Sequence, residues 1–191
     1  MSSISASATC SRQRLQALLV VVLLAGLATT GEAKVFYSRS EALELAFPEA
    51  DGVESETFVL DDEQVSRIEE LAGCPVETKL VKIYTGLRDG TVVGYAAIDI
   101  HNVRTLPEAF LVVLTPQGHV RSLRVLAFHE PLEYLPTERW YRQFDDKSLA
   151  EPLRLGGDVH GVVGATLSAR ATTRGVCRVL AYYEVLIQKG Q

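Results

Sequence analysis

The chain has 191 residues, a formal net charge of −5 and 47% hydrophobic residues. This length accommodates one globular domain with a short extension. The mildly acidic charge, and the lack of any stripe that combines basic and aromatic residues, argue against nucleic acid as a partner.

Residues 1–33 are predicted to be an export signal. Arg12 and Arg14 precede an apolar run from Leu15 to about Ala28, and small residues follow it. Basic residues at the start, a short apolar stretch and small residues after it are typical of a secretory signal peptide. The run is about 14 residues long, shorter than the ~20 that span a bilayer as a helix. We expect cleavage after Ala33, and the alternative is an uncleaved membrane anchor.

Residues 34–77 are predicted to be a polar N-terminal section with two helices. Ser40–Phe47 begins with a capping serine and is stopped by Pro48. Asp61–Ala72 begins with capping aspartates, carries three apolar residues at helical spacing and is terminated by Gly73.

The period of the apolar residues then changes to that of strands. Two pairs of apolar runs, each pair joined by a turn that contains glycine, predict two hairpins. The predicted strands are Lys79–Leu87, Val92–Ile100, Phe110–Leu114 and Val120–Phe128. A short helix over Thr137–Phe144, capped by Thr137, and a long C-terminal helix over about Leu167–Gln188 follow. The predicted fold class is therefore α+β, an antiparallel-rich sheet with packed helices and a long C-terminal helix.

Cleavage after Ala33 would remove Cys10 and leave Cys74 and Cys177. In an oxidising compartment these two could pair, or they could be two separate buried thiols. Neither has a histidine or cysteine nearby at metal-ligand spacing, so no zinc site is expected. No Ser/His/Asp or Cys/His arrangement is visible, so hydrolysis has no specific support.

The start of the C-terminal helix carries the segment VVGATLS, residues 162–168. Gly164 and Ala165 let a ligand approach the backbone closely, and Thr166 supplies a hydroxyl in the first turn. The first N–H groups of a helix have no internal partner and lie at the positive end of the helix dipole, which indicates a phosphate site. The residues alone leave an alternative, in which Thr166 is an ordinary helix cap.

The longer sequence GVVGATLSARATTRGVCRVL resembles the attachment segment of the FMN-binding domain family. This family includes the flavin-carrying subunits of the sodium-pumping NADH:quinone reductase and of the Rnf electron-transport complex. Its motif, D-x-x-(S/T)-G-A-T, ends in the threonine that a flavin transferase, using FAD and Mg²⁺, esterifies with FMN. Gly164, Ala165 and Thr166 match the motif, whereas His160 stands at its Asp position and Val163 at its Ser/Thr position.

A second resemblance lies upstream, in VRSLRVLAFHEPLEYLPTERWYRQF. The family has a strand here that ends in a His/Glu/Pro loop, followed by a Trp and a Gln-Phe pair. The matching residues are His129, Glu130, Pro131, Trp140, Gln143 and Phe144. The two segments and the hairpins before them cover roughly residues 78–187, so the resemblance implies an FMN-binding domain over residues 78–191.

The resemblance implies an exported electron-transfer flavoprotein with FMN covalently linked by a phosphoester to Thr166. It would relay electrons between redox proteins of the membrane or periplasm, in the periplasm or facing it at the inner membrane, after a flavin transferase has acted on it. The other expected cofactor contacts are Gly164, Ala165, Leu167, Ser168, His129 and Glu130. Tyr134 and Trp140 could stack on the flavin or belong to the core. Two alternatives stay open: a flavin reductase enzyme, and a flavin-free or non-covalently FMN-binding assembly module of a redox complex.

Overall fold

The computed structural model describes residues 34–188, and within them six strands form one antiparallel sheet. The strands are β1 (Lys34–Val35), β2 (Gly52–Val59), β3 (Leu80–Arg88), β4 (Thr91–Asn102), β5 (Pro107–Leu114) and β6 (Val120–Phe128). Their order is β1-β6-β5-β4-β3-β2, so every strand from β2 to β5 pairs with the next one along the chain, and β1 pairs with β6. This meander, with helices packed against it, confirms the predicted α+β class.

Four α-helices accompany the sheet in the described residues. They are α1 (Arg39–Ala46), α2 (Asp62–Ala72), α3 (Glu138–Tyr141) and α4 (Thr166–Tyr182). A 3₁₀ turn follows α3 at Arg142–Phe144, and α4 continues as a π-helical stretch, Tyr183–Ile187. The long C-terminal helix is therefore confirmed, and it begins one residue earlier than predicted.

Two of the predicted helix caps are wrong. Ser38, not Ser40, caps α1: its Oγ accepts from the backbone N–H of Glu41, whose carboxylate accepts from the N–H of Ser38 in return. Thr137 precedes α3 as predicted, but its side chain makes no capping hydrogen bond. The predicted ends of α2 are confirmed, with Asp61 as its cap and Gly73 in a left-handed conformation after it.

The strand β2 is missing from the sequence-based expectation, which placed only helices in residues 34–77. It pairs with β3 on one side and lies at an edge of the sheet. Most of its side chains are exposed on both faces, including Val53 and Val59 as well as Glu54 and Glu56. Because only Phe58 packs against the core, most of the strand lacks the alternation of apolar and polar residues by which strands are recognised.

Two cores cover the two faces of the sheet. α2 and α4 pack on one face, where the buried residues include Ile68, Phe110 and Val176. α1 covers part of the other face. Gly175 lets α4 lie close to the sheet, since a Cβ atom there would be 2.5 Å from Cζ of Phe110 and 2.8 Å from Oδ2 of Asp99.

None of the helices between residues 34 and 188 is long and apolar enough to cross a membrane. The predicted export signal, residues 1–33, lies outside the described residues.

Candidate functional site

Thr166 is the first residue of α4, and Ala165 occupies the cap position before it without any side-chain cap. The Thr166 hydroxyl is exposed and makes one long hydrogen bond, donated across 3.5 Å to the carbonyl oxygen of Val162. It accepts nothing from the N–H groups of the first turn. The alternative that Thr166 is an ordinary helix cap is therefore wrong.

The backbone around Thr166 leaves donors free. The first hydrogen bond of the helix joins the N–H of Ala169 to the carbonyl oxygen of Ala165, at 3.0 Å. The N–H groups of residues 166–168 have no acceptor in the described part of the chain. Gly164, with φ at +82°, turns the chain into the helix through a conformation that side chains disfavour. Free N–H groups at the start of a long helix favour an anion.

A cavity of about 260 Å³ opens at this helix start. Its walls are Val103, Arg104, Glu130, Tyr134, Gly164, Ala165, Thr166, Leu167 and Ser168. The structure therefore brings Glu130 together with all five predicted residues of the helix start. The Ser168 side chain is only 1% exposed, and its Oγ has no hydrogen-bond partner among the described residues. A buried hydroxyl without a partner is uncommon, and this oxygen is itself closed off from the open part of the cavity.

Glu130 positions the loop between β4 and β5. Its Oε1 accepts from the backbone N–H of Thr105 at 2.8 Å and from that of Leu106 at 3.0 Å. These bonds, led by that of Thr105, lower the pKa of Glu130, so the carboxylate stays charged. Because the loop is held in this way, Arg104 reaches the cavity wall. The sequence predicts no role for Arg104, because the predicted strand Val92–Ile100 ends before this hairpin.

His129 does not line the cavity. Its Nδ1 and its backbone N–H both bond the carbonyl oxygen of Pro107, at 3.0 and 3.1 Å, which ties the end of β6 to β5. A cofactor contact of His129 stays a prediction. Tyr134 does line the cavity, whereas Trp140 belongs to the core, where its ring lies edge-on to that of Phe144.

The two segments that resemble the family contact one another. Trp140 donates its indole N–H to the carbonyl oxygen of His160 at 2.6 Å, and the N–H of His160 donates to Oε1 of Gln143 at 2.8 Å. The side chains of His160 and Val163 are exposed, that of Val163 completely. The departures from the family motif therefore fall on side chains that the fold does not use.

A buried chain of charged groups lies beneath α4. Arg178 donates to both carboxylate oxygens of Asp99, and the two ring nitrogens of His101 lie 3.2 Å from Asp99 and 3.2 Å from Glu108. Burial alone would lower the pKa of His101, but its hydrogen bonds to the two carboxylates raise it to about 9. His101 also lines a cavity of about 170 Å³ that shares Val103 and Leu167 with the one at Thr166.

Cys74 and Cys177 are separate free thiols, so the disulfide alternative is not realised in this structure. Between residues 34 and 188, no group of three or more His, Cys, Asp or Glu side chains is arranged to hold a metal ion.

No protein-family model and no curated protein matches this chain. Membership of the FMN-binding domain family therefore stays an expectation from the two resembling segments.

Proposed function

We propose that the chain is an exported electron-transfer flavoprotein that carries FMN through a phosphoester on Thr166. One observation carries the proposal: the exposed Thr166 hydroxyl lies in the first turn of α4, at a cavity and beside N–H groups that have no acceptor within residues 34–188. The hydroxyl is accessible to a modifying enzyme, and its surroundings suit an anion.

The residues present fit the phosphate end of FMN. A phosphate that is esterified at both ends keeps one negative charge, which the start of α4 would stabilise by about 0.3–1 kcal/mol. The guanidinium of Arg104, on the cavity wall, could donate to a phosphate oxygen. At about 260 Å³ the cavity lies just below the ~300–1,000 Å³ typical of small-molecule sites. This volume suits the phosphate end rather than the entire cofactor.

Other residues hold the residues around Thr166 in place. When bound, FMN would supply the redox chemistry. Glu130 fixes the loop that carries Arg104. Trp140 and Gln143 fix the backbone of His160, six residues before Thr166. A covalent tether suits an exported protein, because a released cofactor would be lost by dilution. The expected partners are a flavin transferase and redox proteins of the membrane or periplasm.

A flavin-free or non-covalently FMN-binding assembly module is the second candidate. It is favoured by His160 and Val163, which replace the Asp and the Ser/Thr of the family motif. Both side chains are exposed, so a transferase would meet these differences directly.

The test is co-expression with a flavin transferase, followed by a denaturing gel. We expect flavin fluorescence in the protein band of the wild type and of Thr137→Ala, which removes an exposed threonine hydroxyl without a capping bond. We expect none in Thr166→Ala. A dark wild-type band would contradict covalent attachment, and a fluorescent Thr166→Ala band would contradict the acceptor. Yellow native protein whose band is dark would support the non-covalent candidate.

A further inference from the structure

A larger cavity, of about 630 Å³, lies further along α4. It is a partly open cleft lined by the C-terminal end of α2, residues 149–155 and one side of α4. Its volume falls within the ~300–1,000 Å³ of small-molecule sites. It shares no lining residue with the cavity at Thr166.

Three arginines line this cavity: Arg154 from the loop, and Arg170 and Arg174 from α4. None of them forms an ion pair with a carboxylate within residues 34–188. Arg170 and Arg174 are four residues apart on one helix, where like charges destabilise the helix. All three side chains are exposed, so water screens their repulsion, and they are free to pair with an anion that enters the cavity.

The acidic residues of the cavity do not neutralise these arginines. Glu70 pairs with Arg67 at 2.6 Å, and Glu151 pairs with Lys147. Burial raises the pKa of the Cys177 thiol to about 11, so this thiol carries no negative charge at neutral pH. The carboxyl end of α2 adds about half a negative charge, which is small against three guanidinium groups.

Four leucine side chains contribute to the same wall. Leu71 comes from α2, and Leu149, Leu153 and Leu155 come from the loop. A site with a cationic side and an apolar side is suited to a ligand that has an oxyanion at one end and an apolar body at the other. Guanidinium groups pair with such oxyanions through two parallel hydrogen bonds.

We propose that this cavity binds an amphipathic anion, with its oxyanion held by Arg154, Arg170 and Arg174 and its apolar body against the leucines. The site is independent of FMN, because it depends on neither Thr166 nor the cavity beside it. A chain that attaches no flavin would still bind the anion, so the two proposals are tested separately.

The test uses the purified full-length chain and two fluorescent probes. 8-Anilinonaphthalene-1-sulfonate has an apolar body and one oxyanion, and N-phenyl-1-naphthylamine has nearly the same body without the charge. We expect the variant Arg170→Gln/Arg174→Gln to raise the Kd of the sulfonate by about tenfold or more, as for the loss of hydrogen bonds to a charged group. The Kd of the neutral probe should change less than twofold.

Arg88→Gln is the matched control, since Arg88 is an exposed arginine at the end of β3, outside this cavity. It should leave the Kd of both probes unchanged. Arg154→Gln, on the loop rather than on α4, should also weaken sulfonate binding. This variant replaces the double variant in the test if the double variant does not fold. Equal sulfonate affinity in wild type and cavity variants would overturn the proposal. So would an equal loss in Arg88→Gln, because that result would reflect net charge alone.

Discussion

Trp140 donates its indole N–H to the backbone carbonyl of His160 across 2.6 Å, and so joins the core to the segment before Thr166. Gln143 accepts from the N–H of the same residue. Both backbone polar groups of His160 are therefore held by side chains from the other segment that resembles the family. The conformation that leads into α4 depends on these two bonds as well as on Gly164.

Trp140→Phe should loosen this segment. The phenyl ring retains aromatic contact with Phe144 but has no N–H, so the carbonyl of His160 loses its partner, at a cost of about 1 kcal/mol plus the lost ring volume. We expect faster amide hydrogen exchange over residues 160–165, measured by mass spectrometry, and less covalent flavin on Thr166. Arg139→Gln, at the exposed neighbouring position on α3, should change neither. Unaltered exchange in Trp140→Phe would show that the bond does not order the segment.

The sequence predicted most helices and hairpins because their signals are local. Capping residues, glycine turns and apolar periods all act over a few neighbours, and they located α2, α4 and the hairpins. The position of Arg104 in the wall of the cavity at Thr166 could not be predicted from such local signals. It depends on Glu130, which holds the backbone of Thr105 from 25 residues away.

The buried charges under α4 escaped prediction for a related reason. In β4, His101 points into the protein while its apolar neighbour Ile100 is 61% exposed. Hydropathy alone favours the opposite orientation. The observed one is stable because Arg178, 79 residues further along the chain, pairs with Asp99 beside the histidine. A pattern of neighbouring residues cannot predict a pairing between residues so far apart in the chain.

On the proposed function, introducing the complete motif of the FMN-binding domain family should raise the yield of covalent flavin. In His160→Asp/Val163→Thr both replaced side chains are exposed, so the free energy of unfolding should change by less than ~0.5 kcal/mol. The altered residues lie where a transferase would contact the acceptor segment. We expect more flavin fluorescence per amount of protein on a denaturing gel after co-expression with the transferase.

Val53→Thr makes a similar exchange at an exposed valine of β2 and serves as the control. Its fluorescence should equal that of the wild type. If the double variant also equals the wild type, the two departures from the motif do not limit flavin attachment.

Gly175→Ala should destabilise the protein. Alanine normally favours a helix over glycine by about 1 kcal/mol, but the added methyl would lie 2.5 Å from Phe110 and 2.8 Å from Asp99. Overpacking of this kind costs about 1–3 kcal/mol, so after the gain in helix propensity we expect a net loss of up to about 2 kcal/mol in urea unfolding. Gly161→Ala, where a Cβ meets nothing within 4 Å, should leave the midpoint nearly unchanged. A stabilised Gly175→Ala would mean that α4 can move away from the sheet at little cost.

His101 should make the stability of the protein fall as the pH rises above neutrality. Its pKa is raised from 6.5 to about 9 in the folded protein, so the folded state binds the proton more tightly than the unfolded state does. This contribution is complete below about pH 6.5 and is lost as the pH rises to about 9. We expect the free energy of unfolding to fall by on the order of 2 kcal/mol across this range, measured by urea unfolding at a series of pH values.

Two substitutions separate this effect from others in the same range. His101→Gln should lower stability at pH 6.5 and remove most of the fall, because the titrating group is gone while both carboxylates stay buried. His119→Gln changes an exposed histidine and should retain the fall. Cys74 and Cys177 contribute only above about pH 9, since burial raises both of their pKa values. An equal fall in wild type and His101→Gln would show that the pH dependence arises elsewhere and that Asp99 and Glu108 do not hold a charged imidazolium between them.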